Sequence, residues 1–387
     1  MTRSAPLPSS LVARVEALEA RGLRRTLPPP TPGLDLCSND TLGFATDPVL
    51  RARFAQAVAT LPLGGTASRL VRAGAASARD LTAEAEAALA RLTRAEATLL
   101  LPSGFQANAA LFGALLGPRD VVFSDALNHA SIIDALRTTG ARRVVYPHGD
   151  VAALDALMVQ NAPEGSGERY LVTESVFSMD GDHAPLAALV EVAGRHAAHV
   201  VVDEAHATGL WGGGAGCVVE LDLRSQVLAT VHTGGKALGV GGGFIAGSAA
   251  LRDALTTLSR AFIYSTGVTP ALACALRLST ERYAEVGAER AAQALALGRY
   301  ARDRLSALPG VRVPPGLGPI VPVLLGEAAR TMRAAERLRF AGFDMRGFRP
   351  PTVPEGTSRL RLVTRAALDR ATIDAFANAL AVALTAR

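Results

Sequence analysis

The sequence predicts an α/β protein in which a large domain with a mostly parallel, wound β-sheet precedes a smaller α+β domain. Two patterns indicate this organisation. Between residues 48 and 288, short apolar runs alternate with amphipathic segments, which is typical of strands and helices that follow one another in a wound sheet. From residue 289 to 387 a long helical pattern comes first and strand-like runs become sparse. Residues 1–47 precede both and are expected to form an N-terminal arm.

Each part has its own predicted elements. In the large domain, apolar runs predict strands at Ala97–Leu101, Val121–Ser124, Arg143–Tyr146, Arg169–Glu174, His199–Asp203, Leu228–Thr233 and Gly243–Ala246. Helical patterns lie between them, among others at Arg79–Leu92, Gln106–Leu116 and Ala187–His196. The small domain is predicted to contain helix Ala291–Leu308, strand Val321–Leu325, helix Ala328–Ala341, strand Arg359–Val363 and a closing helix. The arm contains one helical stretch, Leu11–Gly22.

Composition limits the class of protein. At 387 residues the chain suits two unequal lobes, and its 49% hydrophobic residues supply an ample core. The sequence contains no apolar run of about 18 residues that would predict a membrane span, and its start lacks the apolar stretch of a secretory signal. Cys37, Cys217 and Cys274 are odd in number and far apart, so neither a disulfide framework nor a metal site is indicated. We therefore expect a cytoplasmic protein.

The charge pattern argues against nucleic acid as a partner. The net charge of +5 is modest and is carried by scattered arginines rather than by a dense basic block. A mildly basic surface would suit an acidic small substrate, although a merely solvated surface is the simpler interpretation.

The most informative feature of the composition is a single lysine, Lys236, among 39 arginines. Arginine can replace lysine on a surface, but its guanidinium stays protonated and cannot act as a nucleophilic amine. A lysine can lose its proton and form an imine with a carbonyl group. Chance survival of one surface lysine is the alternative, and the residues around Lys236 argue against it.

Polar residues gather where predicted strands end, which is where wound sheets bind ligands. One buried strand ends at Asp203 and is followed by His206, and the next ends at Thr233, before two glycines and Lys236. A carboxylate such as Asp203 can pair with a protonated pyridine nitrogen, which makes the ring an electron sink. Thr233 can donate a hydrogen bond to a phosphate.

Two further segments upstream complete this group. Gly104 and Phe105 follow a strand and open a helix, so their amides are expected to form an anion site. His129 follows another strand and offers a flat imidazole that could stack on an aromatic ring. Packing alone would also explain His129, and Asn128 before it could cap a helix. Each piece is weak by itself, but together with the single lysine they indicate a cofactor site.

Some of the same residues also resemble motifs of other protein classes. The segment Asp203-Glu-Ala-His206 resembles the acidic box of a nucleotide-driven helicase, and Gly235-Lys236 a fragment of a phosphate loop. A phosphate loop, however, requires the spacing G-x-x-x-x-G-K-[ST], and Thr230 and Ala237 break it. A catalytically inactive scaffold subunit is opposed by the retention of Lys236. His196 and His199 have metal-like spacing, but we expect them at a solvated helix end before a strand, and no metal is indicated because no third ligand is evident.

The chain resembles the α-oxoamine synthases, a branch of the fold-type I pyridoxal-phosphate enzymes. The resemblance covers nearly the whole chain. Its most specific segments are Ser38–Gly43, Thr173–Leu186, Asp203–Gly209, Thr233–Lys236, Ile263–Thr266 and Arg349–Arg361. The family pattern is broken at Thr41, where many members carry an aromatic residue, and at the glycine-rich turn that begins at Gly64.

The resemblance implies how pyridoxal 5'-phosphate is held. Lys236 would form a Schiff base with it and later move the α-proton of the amino acid, and Asp203 would pair with the pyridine nitrogen. The other implied cofactor contacts are His129 on the ring face, His206 near the ring hydroxyl, Glu174 and Ser178 lining the site, and Gly104, Phe105 and Thr233 on the phosphate. Thr266 would reach the phosphate of the partner subunit, so a homodimer with shared active sites is implied.

The resemblance also implies the substrate contacts and the reaction. Arg361 would take the amino-acid carboxylate, and the other implied substrate contacts are Asn39, His129, Thr352, Arg349 and either Arg24 or Arg25. The reaction would be a decarboxylating condensation of an amino acid with an acyl thioester. The Arg349–Arg361 segment points to L-alanine and a pimeloyl thioester, of coenzyme A or a carrier protein, as in biotin synthesis. Glycine or serine with another acyl thioester stays open.

Overall fold

A computed structural model describes residues 5–25, 27, 32–71 and 80–385 of the chain. In chain order its strands are β1 (Leu34–Asp35), β2 (Ala97–Leu101), β3 (Val121–Asp125), β4 (Arg142–Tyr146), β5 (Arg169–Glu174), β6 (Ala198–Asp203), β7 (Ala229–Thr233), β8 (Gly243–Gly247), β9 (Ile320–Gly326), β10 (Phe343–Asp344), β11 (Gly347–Phe348) and β12 (Ser358–Val363). Its α-helices are α1 (Ser9–Ala20), α2 (Pro48–Val58), α3 (Leu81–Thr93), α4 (Gly104–Leu115), α5 (Ala130–Arg137), α6 (Val151–Gln160), α7 (Leu186–Arg195), α8 (Cys217–Glu220), α9 (Ala249–Leu258), α10 (Arg260–Ile263), α11 (Pro270–Ser306), α12 (Ala328–Phe340) and α13 (Arg370–Thr385).

The large sheet has the predicted wound architecture. Its strands run in the order β2-β8-β7-β6-β5-β3-β4. Strands β3 to β7 are mutually parallel, and β8 runs antiparallel to both of its neighbours. Apolar side chains on both faces are buried against helices, Val202 on one side and Val201 on the other. The carboxyl ends of β5, β6 and β7 therefore lie side by side at one edge, where polar side chains can converge.

The smaller sheet is antiparallel, with the order β11-β12-β9. Helices α11, α12 and α13 pack on it, and Val323, Leu360 and Phe376 belong to one buried core. The N-terminal arm joins this part of the molecule, because β1 pairs in parallel with β10 and Leu36 is buried in the same core. The α/β fold with a second, smaller α+β part is thus confirmed.

Most predicted elements lie within two residues of the observed ones, but the long helix was predicted wrongly. It was expected at Ala291–Leu308, whereas α11 begins at Pro270. Ala273 and Leu276 of α11 pack beside α3, and Leu297 and Ala301 pack in the core of the small sheet. We therefore propose that the boundary between the domains falls inside α11, and the division at residues 48 and 288 stays a prediction. Residue 79, the first of the predicted helix Arg79–Leu92, lies outside the described residues.

Candidate active site

A cavity of about 180 Å³ lies at the edge of the large sheet where β5, β6 and β7 end. The amino end of α4 and the residue before α5 close it from the side. Its lining residues are Gly104, Phe105, Asn108, His129, Ser131, Glu174, Asp203, Ala205, Thr233 and Lys236. Seven of the predicted cofactor residues therefore face one space, namely Gly104, Phe105, His129, Glu174, Asp203, Thr233 and Lys236.

Lys236 lies in the glycine-rich turn between β7 and β8. The turn is tight, because a Cβ atom at Gly234 would lie 2.2 Å from the carbonyl oxygen of Gly241. Burial lowers the pKa of Lys236 to about 8, although the negative charges of Asp203 and Glu174 oppose this shift. The amine is therefore neutral, and nucleophilic, in a substantial fraction of molecules near neutral pH.

Asp203 is the last residue of β6, and only 7% of it is exposed. Its Oδ2 atom accepts a hydrogen bond of 2.9 Å from Asn108 Nδ2, and its Oδ1 atom accepts one of 2.9 Å from the amide of Ala205. These two donors fix the plane of the carboxylate. A carboxylate held in this way can pair with a cationic ring nitrogen that enters the cavity.

His129 is the N-cap residue of α5, and its side chain is exposed to the cavity. Its Nδ1 atom lies 3.2 Å from the amide nitrogen of Ser131, which donates to it, and 2.8 Å from Ser131 Oγ. Burial lowers the pKa of His129. Because Nδ1 accepts from an amide, the ring is a neutral imidazole with its proton on Nε2. Asn128, the alternative cap, instead donates to Ser124 Oγ and to the carbonyl of Val172.

An anion cradle lies at the amino end of α4. The first-turn amides of Gly104 and Phe105 have no carbonyl to bind within their own helix. A Cβ atom at Gly104 would lie 3.5 Å from Thr233 Cβ, so the missing side chain leaves room between two lining residues. A Cβ at Gly243 would lie 2.4 Å from the Gly104 nitrogen, so glycine is required there for β8 to approach the cradle. Thr233 Oγ1 donates to the carbonyl of Gly242 at 2.9 Å.

Glu174, the last residue of β5, lines the cavity and holds the main chain at His129. Its Oε1 atom accepts a 2.6 Å hydrogen bond from the amide of His129. Burial, reinforced by the charge of Asp203, raises the pKa of Glu174 well above its usual range. Glu174 thus orients the chain that carries His129 while it holds a proton more readily than an ordinary carboxyl group.

His206 and Asn39 lie on the other side of Lys236. With Thr41, Lys236 and Ile320 they line a small pocket of about 10 Å³, roughly the space of one water molecule. Burial and the charge of Lys236 lower the pKa of His206 well below its usual range, so this imidazole is neutral. The hydroxyl of Thr41 is buried and has no hydrogen-bond partner among the described residues.

Arg361 reaches the site from β12 of the small sheet. Its Nε atom donates to the carbonyl of Ser178 at 2.5 Å, and its Nη2 atom donates to Asn39 Oδ1 at 2.8 Å. Only 4% of the residue is exposed, and burial lowers the pKa of its guanidinium to about 10. Its recorded partners are neutral oxygens, so a positive charge is left available for an anionic ligand.

The remaining predicted substrate residues form a second, outer group. Arg25 donates to Thr352 Oγ1 at 3.0 Å, and Arg349 donates to the carbonyl of Arg24 at 3.3 Å. Arg24 itself is paired with Glu19 at 2.8 Å. These residues are brought together, but none of them lines the cavity at Lys236.

Thr266 lies apart from the cavity. It lines a separate pocket with Arg69, Gln106 and Phe262. The side chain of Gln106, in the first turn of α4, links the two places, since its Nε2 atom donates to Ser265 Oγ at 2.9 Å.

Two residues of the cavity escaped the sequence analysis as functional residues. Asn108 holds Asp203, and Ser131 accepts a hydrogen bond of 2.9 Å from Asn108 and contacts His129. The spacing between Gly104 and Asn108, one helical turn, was the available signal, because it places both on one face of α4.

The nucleotide-binding interpretation does not fit the geometry. Glu204 of the acidic box is fully buried and accepts hydrogen bonds from Ser175 Oγ and from the amides of Cys217 and Val218. It therefore anchors the chain around α8. Lys236 is followed by a turn and β8 rather than by the helix that a phosphate loop requires.

Pyridoxal phosphate fits the donor set of the cavity. An amine with a lowered pKa, a buried carboxylate, a neutral imidazole exposed to the cavity and an anion cradle face one another there. They match the carbonyl, ring nitrogen, ring face and phosphate of that cofactor. Among the described residues, no group of three or more His, Cys, Asp or Glu side chains could hold a metal ion, and no helix is both long and apolar enough to cross a membrane.

Comparisons with known proteins agree with this assignment. The family model of the class I and II aminotransferases matches residues 31–380. The chain is 42% identical to 8-amino-7-oxononanoate synthase of Anaeromyxobacter dehalogenans strain 2CP-1, over 96% of this chain and 94% of the relative. It is 39% identical to the enzyme of the same name from Geobacter sulfurreducens, over 89% and 87% of the two chains.

A solved structure supports the fold over the same extent. A serine palmitoyltransferase variant from S. paucimobilis, with a bound PLP–myriocin aldimine, superposes with a TM-score of 0.87 at 26% identity, over 97% of this chain and 96% of that one. From the cavity, the single lysine and these matches, we conclude that the chain belongs to the class I and II aminotransferase family.

Proposed function

We propose that this protein condenses L-alanine with a pimeloyl thioester, with pyridoxal phosphate as its cofactor. The bond formed joins the α-carbon of alanine to the acyl carbon. The thiol of the carrier and carbon dioxide leave, and the product is 8-amino-7-oxononanoate. This is the compound after which the 42% identical relative, 8-amino-7-oxononanoate synthase, is named. The observation that carries the proposal is the amine of Lys236, with its lowered pKa, in one cavity with Asp203 and the α4 cradle.

The residues of the large sheet hold the cofactor in this proposal. Gly104 and Phe105 bind the phosphate through their amides, and Thr233 adds its hydroxyl after turning away from Gly242. His129 lies on the ring face, and Asp203 keeps a proton on the ring nitrogen. When bound, the cofactor accepts the electron pair that is released at the amino-acid α-carbon.

Lys236 is the proposed base. Its amine takes the α-proton of alanine and later returns a proton to the same carbon, so its pKa must lie near the working pH. The shift to about 8 meets that requirement, whereas a solvated lysine would be almost fully protonated.

Arg361 is the proposed receptor of the alanine carboxylate. Its guanidinium is buried, charged and held by Ser178 and Asn39, so it can offer a preoriented, charge-assisted hydrogen bond. The outer group of Arg24, Arg25, Arg349 and Thr352 is proposed to contact the acyl substrate, whose distal carboxylate would suit an arginine.

We also propose a homodimer that acts in the cytoplasm. Phe105 beside the phosphate cradle is 51% exposed and Tyr264 beside Thr266 is 72% exposed, which favours their burial by a second subunit. In that arrangement Thr266 would reach the phosphate held by the partner, as the family resemblance implies.

A second candidate is the condensation of serine with a long-chain acyl thioester. The structural similarity to serine palmitoyltransferase favours it, but the identity of 26% is well below the 42% shared with 8-amino-7-oxononanoate synthase. We expect the departures at Thr41 and Gly64 to affect the acyl side more than the cofactor side.

The test is a product assay on the purified holoprotein. L-Alanine, glycine and serine are each combined with pimeloyl-, succinyl-, acetyl- and palmitoyl-CoA, and product formation is followed by mass spectrometry. We expect alanine with pimeloyl-CoA to react fastest, with some glycine activity, because one methyl group is worth only about 1–3 kcal/mol of discrimination. If another pair is faster by about tenfold, a difference of about 1.4 kcal/mol, the substrate assignment is wrong.

A further inference from the structure

We propose that His148 is a positioning residue that fixes the loop 177–183 and, through this loop, the guanidinium of Arg361. The inference rests on the proposed function, in which Arg361 receives the carboxylate of the amino acid. His148 does not line the cavity, and it was not among the residues that the sequence singled out.

His148 joins two carboxylates from different parts of the chain. Its Nδ1 atom lies 2.9 Å from Oδ1 of Asp125, which ends β3, and its Nε2 atom lies 2.7 Å from Oδ2 of Asp182 in the loop. The ring also meets Phe177 edge to face, with the centroids 4.4 Å apart. Phe177 at the start of the loop and Asp182 near its end therefore both contact His148.

Asp125 is a rigid anchor for this bridge. It is fully buried in its side chain, and its carboxylate also accepts hydrogen bonds from the amides of Leu127 at 2.8 Å and Gly149 at 3.0 Å. Asp182, by contrast, has a side chain that is 33% exposed. The histidine thus ties a loop to the end of a strand in the large sheet.

The two carboxylates keep His148 charged. Hydrogen bonds from the imidazole to Asp125 and Asp182 raise its pKa to about 10, although its partial burial opposes the shift. Tyr146 nearby has a pKa that is raised by burial and by Asp125, so it stays neutral. Burial lowers the pKa of His183, which follows Asp182 in the loop, so this imidazole is neutral as well. His148 is therefore a cation between two anions throughout the working pH range.

Other residues of the same loop contact strands β9 and β12 of the small sheet. Ser178 accepts from Arg361, and Asp180 forms an ion pair with Arg359, two residues earlier on β12. Arg359 and Arg361 lie on the same face of that strand, because side chains alternate along it. Gly181 lies against β9 so closely that a Cβ atom would be 2.6 Å from the carbonyl oxygen of Ile320.

These contacts make the loop the link between the large sheet and Arg361. If His148 is lost, Asp182 loses its cationic partner and the loop is no longer tied to Asp125. The Ser178 carbonyl then holds the guanidinium of Arg361 less firmly, and the carboxylate of an amino acid binds a less well oriented receptor. The amine of Lys236, on the turn between β7 and β8, is left as it was.

The test compares two ligands that differ in the carboxylate. The absorbance of the holoprotein is titrated with L-alanine and with ethylamine, which is alanine without its carboxylate. In His148→Gln we expect the Kd of L-alanine to rise about tenfold, which corresponds to about one weakened charge-assisted hydrogen bond. The Kd of ethylamine should change by less than about twofold, because no carboxylate is involved. In steady-state assays the KM of alanine should rise with kcat nearly unchanged.

The matched control is His196→Gln. His196 also pairs with a carboxylate, Asp155, at 2.6 Å, but it lies at the end of α7, and its hydrogen bonds within the described part of the chain do not involve the loop. It should leave both dissociation constants unchanged. Asp182→Asn provides a second, milder break of the same bridge and should raise the Kd of alanine in the same direction.

The proposal is overturned if His148→Gln and Asp182→Asn leave alanine binding unchanged, or if both weaken alanine and ethylamine equally. Equal weakening would be general damage to the site. Failure of the proposed function would be seen separately, as the absence of 8-amino-7-oxononanoate with the unaltered protein. The carboxylate is common to alanine, glycine and serine, so the same comparison can be made with glycine against methylamine or with serine against ethanolamine.

Discussion

The pKa of Lys236 predicts how fast the cofactor-free protein captures pyridoxal phosphate at different pH values. Capture requires the neutral amine. At pH 7 a pKa of about 8 leaves about one molecule in ten with a neutral Lys236, whereas the ordinary value of 10.5 would leave about one in three thousand. Burial therefore supplies a gain of about 300-fold in reactive amine at that pH.

The expected profile follows from this ionisation. The rate of covalent capture should rise about tenfold for each pH unit below 8 and level off above it. The assay is stopped-flow absorbance after mixing cofactor-free protein with pyridoxal phosphate, with borohydride reduction to locate the adduct on the peptide that contains Lys236. N-Acetyl-lysine amide, a solvated amine, serves as the reference and should keep accelerating to about pH 10.

A single variant checks the sign of the electrostatic contribution. Asp203 is the strongest influence that raises the pKa of Lys236, in opposition to burial. The rate of capture by the Asp203→Asn variant should therefore level off at a lower pH than that of the unaltered protein. If capture by the unaltered protein continues to accelerate up to pH 10, Lys236 is solvated and the reasoning about the cavity is wrong.

Three more predictions concern residues around the cavity. Asp203→Asn should fold, but its kcat/KM should fall by at least about two orders of magnitude, a loss of about 3 kcal/mol of transition-state stabilisation, because an amide cannot keep the ring nitrogen protonated. Near-normal turnover would refute this. Arg361→Gln should raise the KM of the amino acid by about 10- to 100-fold, as expected for loss of one charged hydrogen-bond donor, while ethylamine binding measured by absorbance stays the same. His148 should stabilise the fold, because its pKa rises from 6.5 to about 10 on folding. The difference in melting temperature between the unaltered protein and His148→Gln should be largest below pH 6.5, where the stabilisation is complete, and should vanish as the pH rises through 10. A difference that grows with pH would contradict the bridge to Asp125 and Asp182.

The strands of the large sheet were predictable because their signals are local. Each is a short apolar run bounded by turn residues, and β2 and β5 agree with the prediction at both ends. The two-residue strands β1 and β10 gave no such signal, since they exist through a pairing between residues some 300 positions apart. The start of α11 was missed although Thr269 and Pro270 form a good N-terminal signal, because the apolar periodicity becomes regular only later in that helix.

The residues of the site also divide into those that local patterns predict and those that depend on contacts between distant parts of the chain. Asp203, Thr233 and Lys236 end or follow neighbouring parallel strands, so their convergence follows from the topology of a wound sheet. The contact of Arg361 with Ser178 and Asn39 joins two sheets and the N-terminal arm, and no local pattern fixes it. His148 lies in a Pro-His-Gly turn that looks like an ordinary loop. Its role emerges from the two carboxylates that the fold places on either side of its ring.

The surroundings of Lys236 and of several arginines explain why the chain has one lysine and 39 arginines. Arg282, Arg290 and Arg359 take part in ion pairs with carboxylates, and a guanidinium serves such pairs at least as well as an amine. Arg361 is buried among neutral oxygens and keeps its charge, whereas a lysine in such surroundings would tend to lose its proton. At position 236 the requirement is reversed, because the side chain must lose its proton in order to react. Charge alone can be supplied by arginine, but a neutral amine cannot, and this difference explains why lysine is kept at this position.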